Sequence, residues 1–142
     1  TFQESLPDGS TVVLVILGSD KTMLSTLNGD KSAWPVYLSI GNLSKAKRRS
    51  VKLNGLILSG LLPRYPNGPK THTIKIAFQE STVTMLRPLE EPAKCGIKVL
   101  CAEGRTCHAY PQIASFPADY PEQCNVTLVK YGWCPRCETD PD

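Results

Sequence analysis

Seven residues, Thr11-Val-Val-Leu-Val-Ile-Leu17, constrain the fold more than any other stretch, because β-branched and apolar side chains fill them almost without interruption. A strand with one wet face alternates apolar with polar. An unbroken run predicts a central strand covered on both faces, the pattern of α/β layering. Pro7-Asp8-Gly9 in front of it is a turn signal, and Gly18-Ser19-Asp20-Lys21-Thr22 follows it. A carboxylate, Asp20, therefore stands just past the carboxyl end of the strand, where open α/β sheets place their chemistry.

The rest of the chain must supply that sheet's neighbours within 142 residues, the size of one ordinary domain with a real core. Thr11–Leu17 is too short to span a bilayer, and no basic segment followed by an apolar one precedes it, so a soluble, non-secreted protein without membrane contact is expected. A net charge of +3 permits a polyanionic partner without demonstrating one. Six cysteines, at 95, 101, 107, 124, 134 and 137, suggest thiols or a metal site rather than disulfides when no secretion signal is present. The sequence starts without Met and stops in a charged, Pro-containing tail at Asp142, as expected of a piece of something longer.

After the first strand, Met23–Leu27 leads to Asn28-Gly29-Asp30, whose Asn-Gly pair suits a tight hairpin turn, and then to the alternating Trp34–Ile40. Three strands in a meander are predicted. Lys45-Ala-Lys-Arg-Arg49 places Lys45, Lys47, Arg48 and Arg49 within five residues, read either as a solvated loop or helix start or as a phosphate-backbone contact. Leu53–Leu62, broken by Gly55 and Gly60, fits a strand or a buried helical turn, which periodicity does not separate, with the strand favoured, and Pro63–Pro69 reads as a loop. Thr71–Glu91 reads as a helix with a stripe of Ile74, Ala77, Phe78, Met85 and Leu89, which Pro88 should end or kink; His72 is read as a surface residue. Ile97–Cys101 and Cys107–Ala118 complete the order as strands around a Glu103-Gly104 turn, the second of them reaching Asp119.

Asp20 and Asp119 each follow an apolar strand, and if those strands are neighbours their carboxylates converge into a pair of hard oxygen ligands suited to Mg2+ or Mn2+. Each can equally cap a turn or helix. Asp8, Asp30 and Glu103 are explained by turns, and Glu122, after Pro121, by a helix start. Cys134-Pro-Arg-Cys137 has the gap that lets two thiolates grip one tetrahedral ion, with Cys124 as a third ligand and a fourth wanting. A redox CxxC and plain buried thiols are the alternatives. The six-residue gaps of Cys95, Cys101 and Cys107 match no common metal pattern and read as structural, and His108 as packed or exposed. No Gly-rich phosphate loop, nucleophile elbow or HExxH motif is present.

Several segments taken together resemble one family. VVLVILGSDKTMLS at 12–25, GDKSAWPVYLSIGNLSKAKRR at 29–49, NGLILSGLLP at 54–63, LRPLEEPAKCGIKVLCAEG at 86–104, and PQIASFPADYPEQC with WCPRC resemble the Plavaka transposases, related to the Kyakuja–Dileera–Zisupton elements. The resemblance covers nearly the whole chain. It implies a ribonuclease H-like α/β core, here partial, in which a mixed sheet with a flanking helix gathers two aspartates and a later acidic residue around divalent metal for DNA strand cleavage and transfer. Asp20 in SDKT would match the first aspartate and Asp119 in ADYPEQ the second. Cys124, Cys134 and Cys137 would match cysteines of an insertion beginning within 120–142, with Zn2+ as a structural ion. The third acid would lie past Asp142, so the chain alone is expected to be an inactive fragment of a catalytic domain. The resemblance further implies DNA as partner, a nuclear setting, and oligomerisation in the full-length protein. A zinc-stabilised nucleic-acid-binding or domesticated module without catalysis is the competing expectation.

Overall fold

The computed structural model describes residues 2–25, 31–63 and 71–137. Its strands are β1 (Ser10–Ser19), β2 (Thr22–Ser25), β3 (Lys31–Ala33), β4 (Pro35–Ile40), β5 (Leu56–Leu61), β6 (Ile97–Leu100) and β7 (Thr106–Ser115). Its helices are α1 (Lys45–Arg48), α2 (Thr71–Leu86), α3 (Glu90–Cys95) and α4 (Tyr120–Thr127). Five strands form a mixed sheet in the order β5-β4-β1-β7-β6, and β2 with β3 form a separate antiparallel pair. The chain is thus mixed α/β, and β1 is the central strand that its composition predicts.

The expected double cover of β1 is only half realised. Val15, Leu17 and Ser19 are buried, whereas Leu14 is 40 % exposed and Val13 and Ile16 are half-buried. The alternation is a strand's natural period of two, so one face meets the core and the other is only partly covered.

The chain divides into two compact units. The first comprises Thr1–Leu17, Leu38–Ile57 and Leu86–Phe116. Here β1 runs parallel to β7, from Ser10 opposite His108 to Ile16 opposite Ser115, and β6 runs antiparallel to β7. Asn42 extends the β1 ladder past the end of β4: its Oδ1 accepts the Leu14 N–H at 2.8 Å and its Nδ2 donates to the Val12 carbonyl at 2.8 Å. Both backbone groups are thereby satisfied where no strand is left to pair them. Gly96 ends α3 at φ +72°, and a Cβ there would meet the Tyr110 ring at 2.7 Å. Glycine is required twice over, by conformation and by contact.

The second unit comprises Gly18–Tyr37, Leu58–Met85 and Pro117–Asp142. Its core is Phe78, on the predicted stripe of α2 and 2 % exposed, packed against the Trp34 indole at 5.2 Å between ring centroids. Gln79, the next residue of α2, donates from Nε2 to the carbonyls of Asn125 (2.9 Å) and Val126 (2.7 Å). Lys75 donates to the carbonyl of Val129. These side chains satisfy carbonyls left without partners at the end of α4, so α2 holds that helix in place.

The long helix predicted over Thr71–Glu91 stops at Leu86, then passes through a 3-10 turn at Arg87–Leu89 into α3. Pro88 has no N–H to give and breaks the ladder, as expected. Leu89 therefore leaves the α2 stripe, and His72 is exposed. Asn28-Gly29, the turn predicted between Met23–Leu27 and Trp34–Ile40, lies outside the described residues. Among the described residues no helix is long and apolar enough to cross a membrane.

Candidate functional site

The second unit contains a cavity of about 400 Å³ lined by Asp20, Lys21, Trp34, Ile74, Asp119, Pro121, Glu122 and Asn125. Asp20 follows the last residue of β1 and is exposed. Asp119 arrives differently from the expectation. β7 ends at Ser115, so Phe116–Ala118 is a connector and Asp119 is not a strand end but the N-cap of α4. Its backbone is extended (φ −70°, ψ 173°), and its Oδ1 accepts the Glu122 N–H at 3.0 Å. The capping role and the convergence with Asp20 are therefore not alternatives: one carboxylate oxygen caps the helix, and the side chain still lines the cavity with Asp20.

Pro121 sits in the first turn of α4, where its missing N–H costs nothing. The next residue, Glu122, turns inward and is 5 % exposed. Its Oε1 accepts the Trp34 indole N–H at 3.0 Å and a hydrogen bond from the Ser19 hydroxyl. Ser19 is itself buried. Burial pushes the Glu122 carboxyl up to about 7; the Trp34 hydrogen bond opposes this, while the nearby charges of Asp119 and Asp20 add to it.

Glu122, Ser19 and Trp34 are the residues that sequence reasoning missed as a site. A signal existed in Asp119-x-x-Glu122, the spacing of a capping box. Only half of the box forms, because the Glu122 side chain goes to Trp34 and Ser19 instead of back to the cap.

Among the described residues no group of three or more His, Cys, Asp or Glu is arranged to hold a metal ion. Asp20 and Asp119 are two hard oxygen donors on one cavity, and Mg2+ or Mn2+ is commonly held by one or two carboxylates plus water and substrate phosphate oxygens. The cysteines do not form a comparable set. Cys124 is 2 % exposed within α4, beside the Tyr120 phenol, while Cys134 and Cys137 are exposed.

The basic cluster belongs to the first unit. Ser44 caps the short α1 by accepting the Lys47 N–H, and Lys45, Lys47 and Arg49 are exposed. Arg48 is half-buried and donates to the Gly41 carbonyl at 3.3 Å, so three of the four cations face solvent with no such tie described.

A family model described as Plavaka transposase matches residues 1–142, the whole chain. No curated protein and no solved structure matches it.

Proposed function

We propose, given that the chain belongs to the Plavaka transposase family, that it is part of a transposase catalytic domain in which Asp20 and Asp119 form the metal-binding carboxylate pair for DNA strand cleavage and transfer. The observation that carries this reading is the cavity itself: two aspartates far apart in sequence, following strands that lie side by side and parallel, line one concave surface. The same arrangement supports, for this mixed α/β chain, a ribonuclease H-like core.

In this reading Asp20 and Asp119 hold Mg2+ or Mn2+, which when bound would polarise a phosphodiester and lower the pKa of an attacking water or hydroxyl. Glu122 lines the same cavity but is buried, its Oε1 accepting from Trp34 and Ser19. Its role is to fix the first turn of α4, and hence Asp119, rather than to donate to the ion. Lys45, Lys47 and Arg49 contribute exposed positive charge for the phosphate backbone, a contact that positions DNA without reading sequence. Acting on DNA, the protein would work in the nucleus.

Titrating Mn2+ into the chain and into an Asp20→Asn/Asp119→Asn double variant tests the site. Binding in the parent and its loss in the variant is expected; coincident curves would mean that the pair holds no metal. The competing reading, a zinc-stabilised nucleic-acid-binding module, requires Cys124, Cys134 and Cys137 to converge. Zinc bound per chain, compared before and after Cys134→Ser, decides between them.

A further inference from the structure

Three features of the structure are not used by the proposed chemistry. One is the apolar edge strand β5, another the exposed aromatic cluster of Tyr131 and Trp133, and the third a pair of thiols at the end of the β6–β7 hairpin. Only the thiols present two mutually reactive groups already in contact.

Val99 lies opposite Cys107 in the antiparallel register, and Leu100 opposite Thr106. Beyond them the Cys101 N–H donates to the Arg105 carbonyl at 2.8 Å, and the Gly104 N–H to the Cys101 carbonyl at 2.9 Å. Gly104, at φ +78°, supplies the left-handed residue that so tight a turn requires. Side chains alternate along each strand, so Cys101 and Cys107 emerge on one face as a diagonal cross-strand pair. Their sulfurs are 3.2 Å apart and hydrogen-bonded, and both residues are half-buried.

We propose that Cys101 and Cys107 form a reversible intramolecular disulfide by exchange with a low-molecular-weight disulfide of the glutathione class, stapling the β6–β7 hairpin. One cysteine thiolate attacks a sulfur of the small disulfide, forming a protein mixed disulfide and expelling one small thiolate. The neighbouring thiolate then attacks the protein sulfur of that mixed disulfide, forming the Cys101–Cys107 bond and expelling the second small thiolate. The two protons released by the cysteines end on the two small thiols, so two electrons pass from the protein to the oxidant. The second step is favoured because its nucleophile is held in place. The sulfurs need to approach by roughly 1 Å to reach bonding distance.

Groups around the turn modulate the reaction. The hydrogen bond to Cys107, burial and the Glu103 carboxylate push the Cys101 thiol up, and Arg105 opposes them. Arg105 and Glu103 are paired at 2.7 Å at the tip. Exchange should therefore accelerate as pH rises. Cys95 lacks a second sulfur: its thiol donates to Glu91 Oε1 at 3.3 Å. What the staple secures is the edge strand β6, all four of whose residues are exposed. An edge held by one neighbour opens more readily than a central strand, so a covalent tie there slows hairpin opening.

The test equilibrates the full chain, native, with oxidised glutathione, followed by alkylation and peptide mass mapping. The expected product is a Cys101–Cys107 linked peptide lacking two hydrogens, with two thiols lost from titration, slower amide exchange across β6, and full reversal by a dithiol reductant. Cys95→Ser should change none of this. Cys101→Ser should arrest the reaction as a glutathione adduct at Cys107. A glutathione adduct persisting at Cys101 or Cys107 in the unaltered chain, or linkage of Cys134 to Cys137 with Cys101 and Cys107 left reduced, overturns the proposal.

Discussion

The acidic cavity and the basic turn, both assigned work on DNA, are built in opposite ways. At the cavity, Glu122 takes the Trp34 indole N–H and the Ser19 hydroxyl, Asp119 takes the Glu122 N–H, and Gln79 ties down the far end of the same helix. At the turn, Ser44 caps a single turn of helix while Lys45, Lys47 and Arg49 extend into water. The contrast separates two demands. Metal-carboxylate chemistry needs groups held to within fractions of an ångström, whereas attraction of a polyanion needs only charge of the right sign nearby. Substitutions should therefore be costly in stability at the first and nearly silent there at the second.

The largest effect is expected at Glu122. Glu122→Ala leaves the buried Trp34 and Ser19 donors without an acceptor, and should lower stability by about 3 kcal/mol, read as a fall in urea midpoint at constant slope. The ionisation of Glu122 adds a pH signature. Its carboxyl titrates at about 7 in the folded chain against 4.5 in its absence of structure, so between these values the folded state holds a proton that the unfolded state has lost. This group's contribution is then greatest below about pH 4.5 and declines as pH rises to about 7. Glu122→Gln, which can accept from Trp34 without ionising, should flatten that decline. A stability curve of the parent that rises over the same interval, with no change in Glu122→Gln, would break the account of the cavity as a buried network.

Asp119 tests whether the cap and the chemistry are separable. Asp119→Ala removes the acceptor for the Glu122 N–H and should cost about 1 kcal/mol, while Asp119→Asn keeps a capping oxygen and should cost only a few tenths. Both should lose Mn2+ affinity, and Asp20→Asn should lose it with stability changed by less than about 0.5 kcal/mol, since Asp20 is exposed. Equal destabilisation by Asn and Ala at position 119 would show that the cap contributes nothing, and that the packing of α4 alone holds it.

The same contrast explains what could be read before the structure. β1, β6 and the break at Pro88 were legible because they rest on local chemistry: apolar runs, glycine punctuation and an absent N–H, whereas the run that became β5 fitted a strand and a buried helical turn alike. The place of Asp20, one residue past a strand, was legible for the same reason. The error at Asp119 came from extending an apolar run, Ile113–Ala118, through Pro117, although proline and the Asp-x-x-Glu spacing signalled a connector and a helix start. Glu122 was beyond reach as a buried group because its partners are 103 and 88 residues away in sequence. Nothing near it announces that a glutamate will face Trp34 rather than water. The Cys101–Cys107 contact escaped for a subtler reason: a six-residue gap matches no metal pattern, but across a Gly104 turn it is the spacing of a diagonal pair on one hairpin face.

The smallest effects on stability, and the ones that test the other half of the comparison, are expected at the basic turn. Lys45→Gln and Lys47→Gln should each leave stability within about 0.5 kcal/mol of the parent. Each should also reduce the salt dependence of DNA binding, the slope of log K against log salt, by about 1. Arg48→Gln should behave differently from its neighbours, because this side chain donates to the Gly41 carbonyl and is half-buried. It should lose some stability and little of the salt slope. If instead neither Lys45→Gln nor Lys47→Gln changes the slope, the exposed charges are a solvated face, and DNA is held elsewhere on the chain.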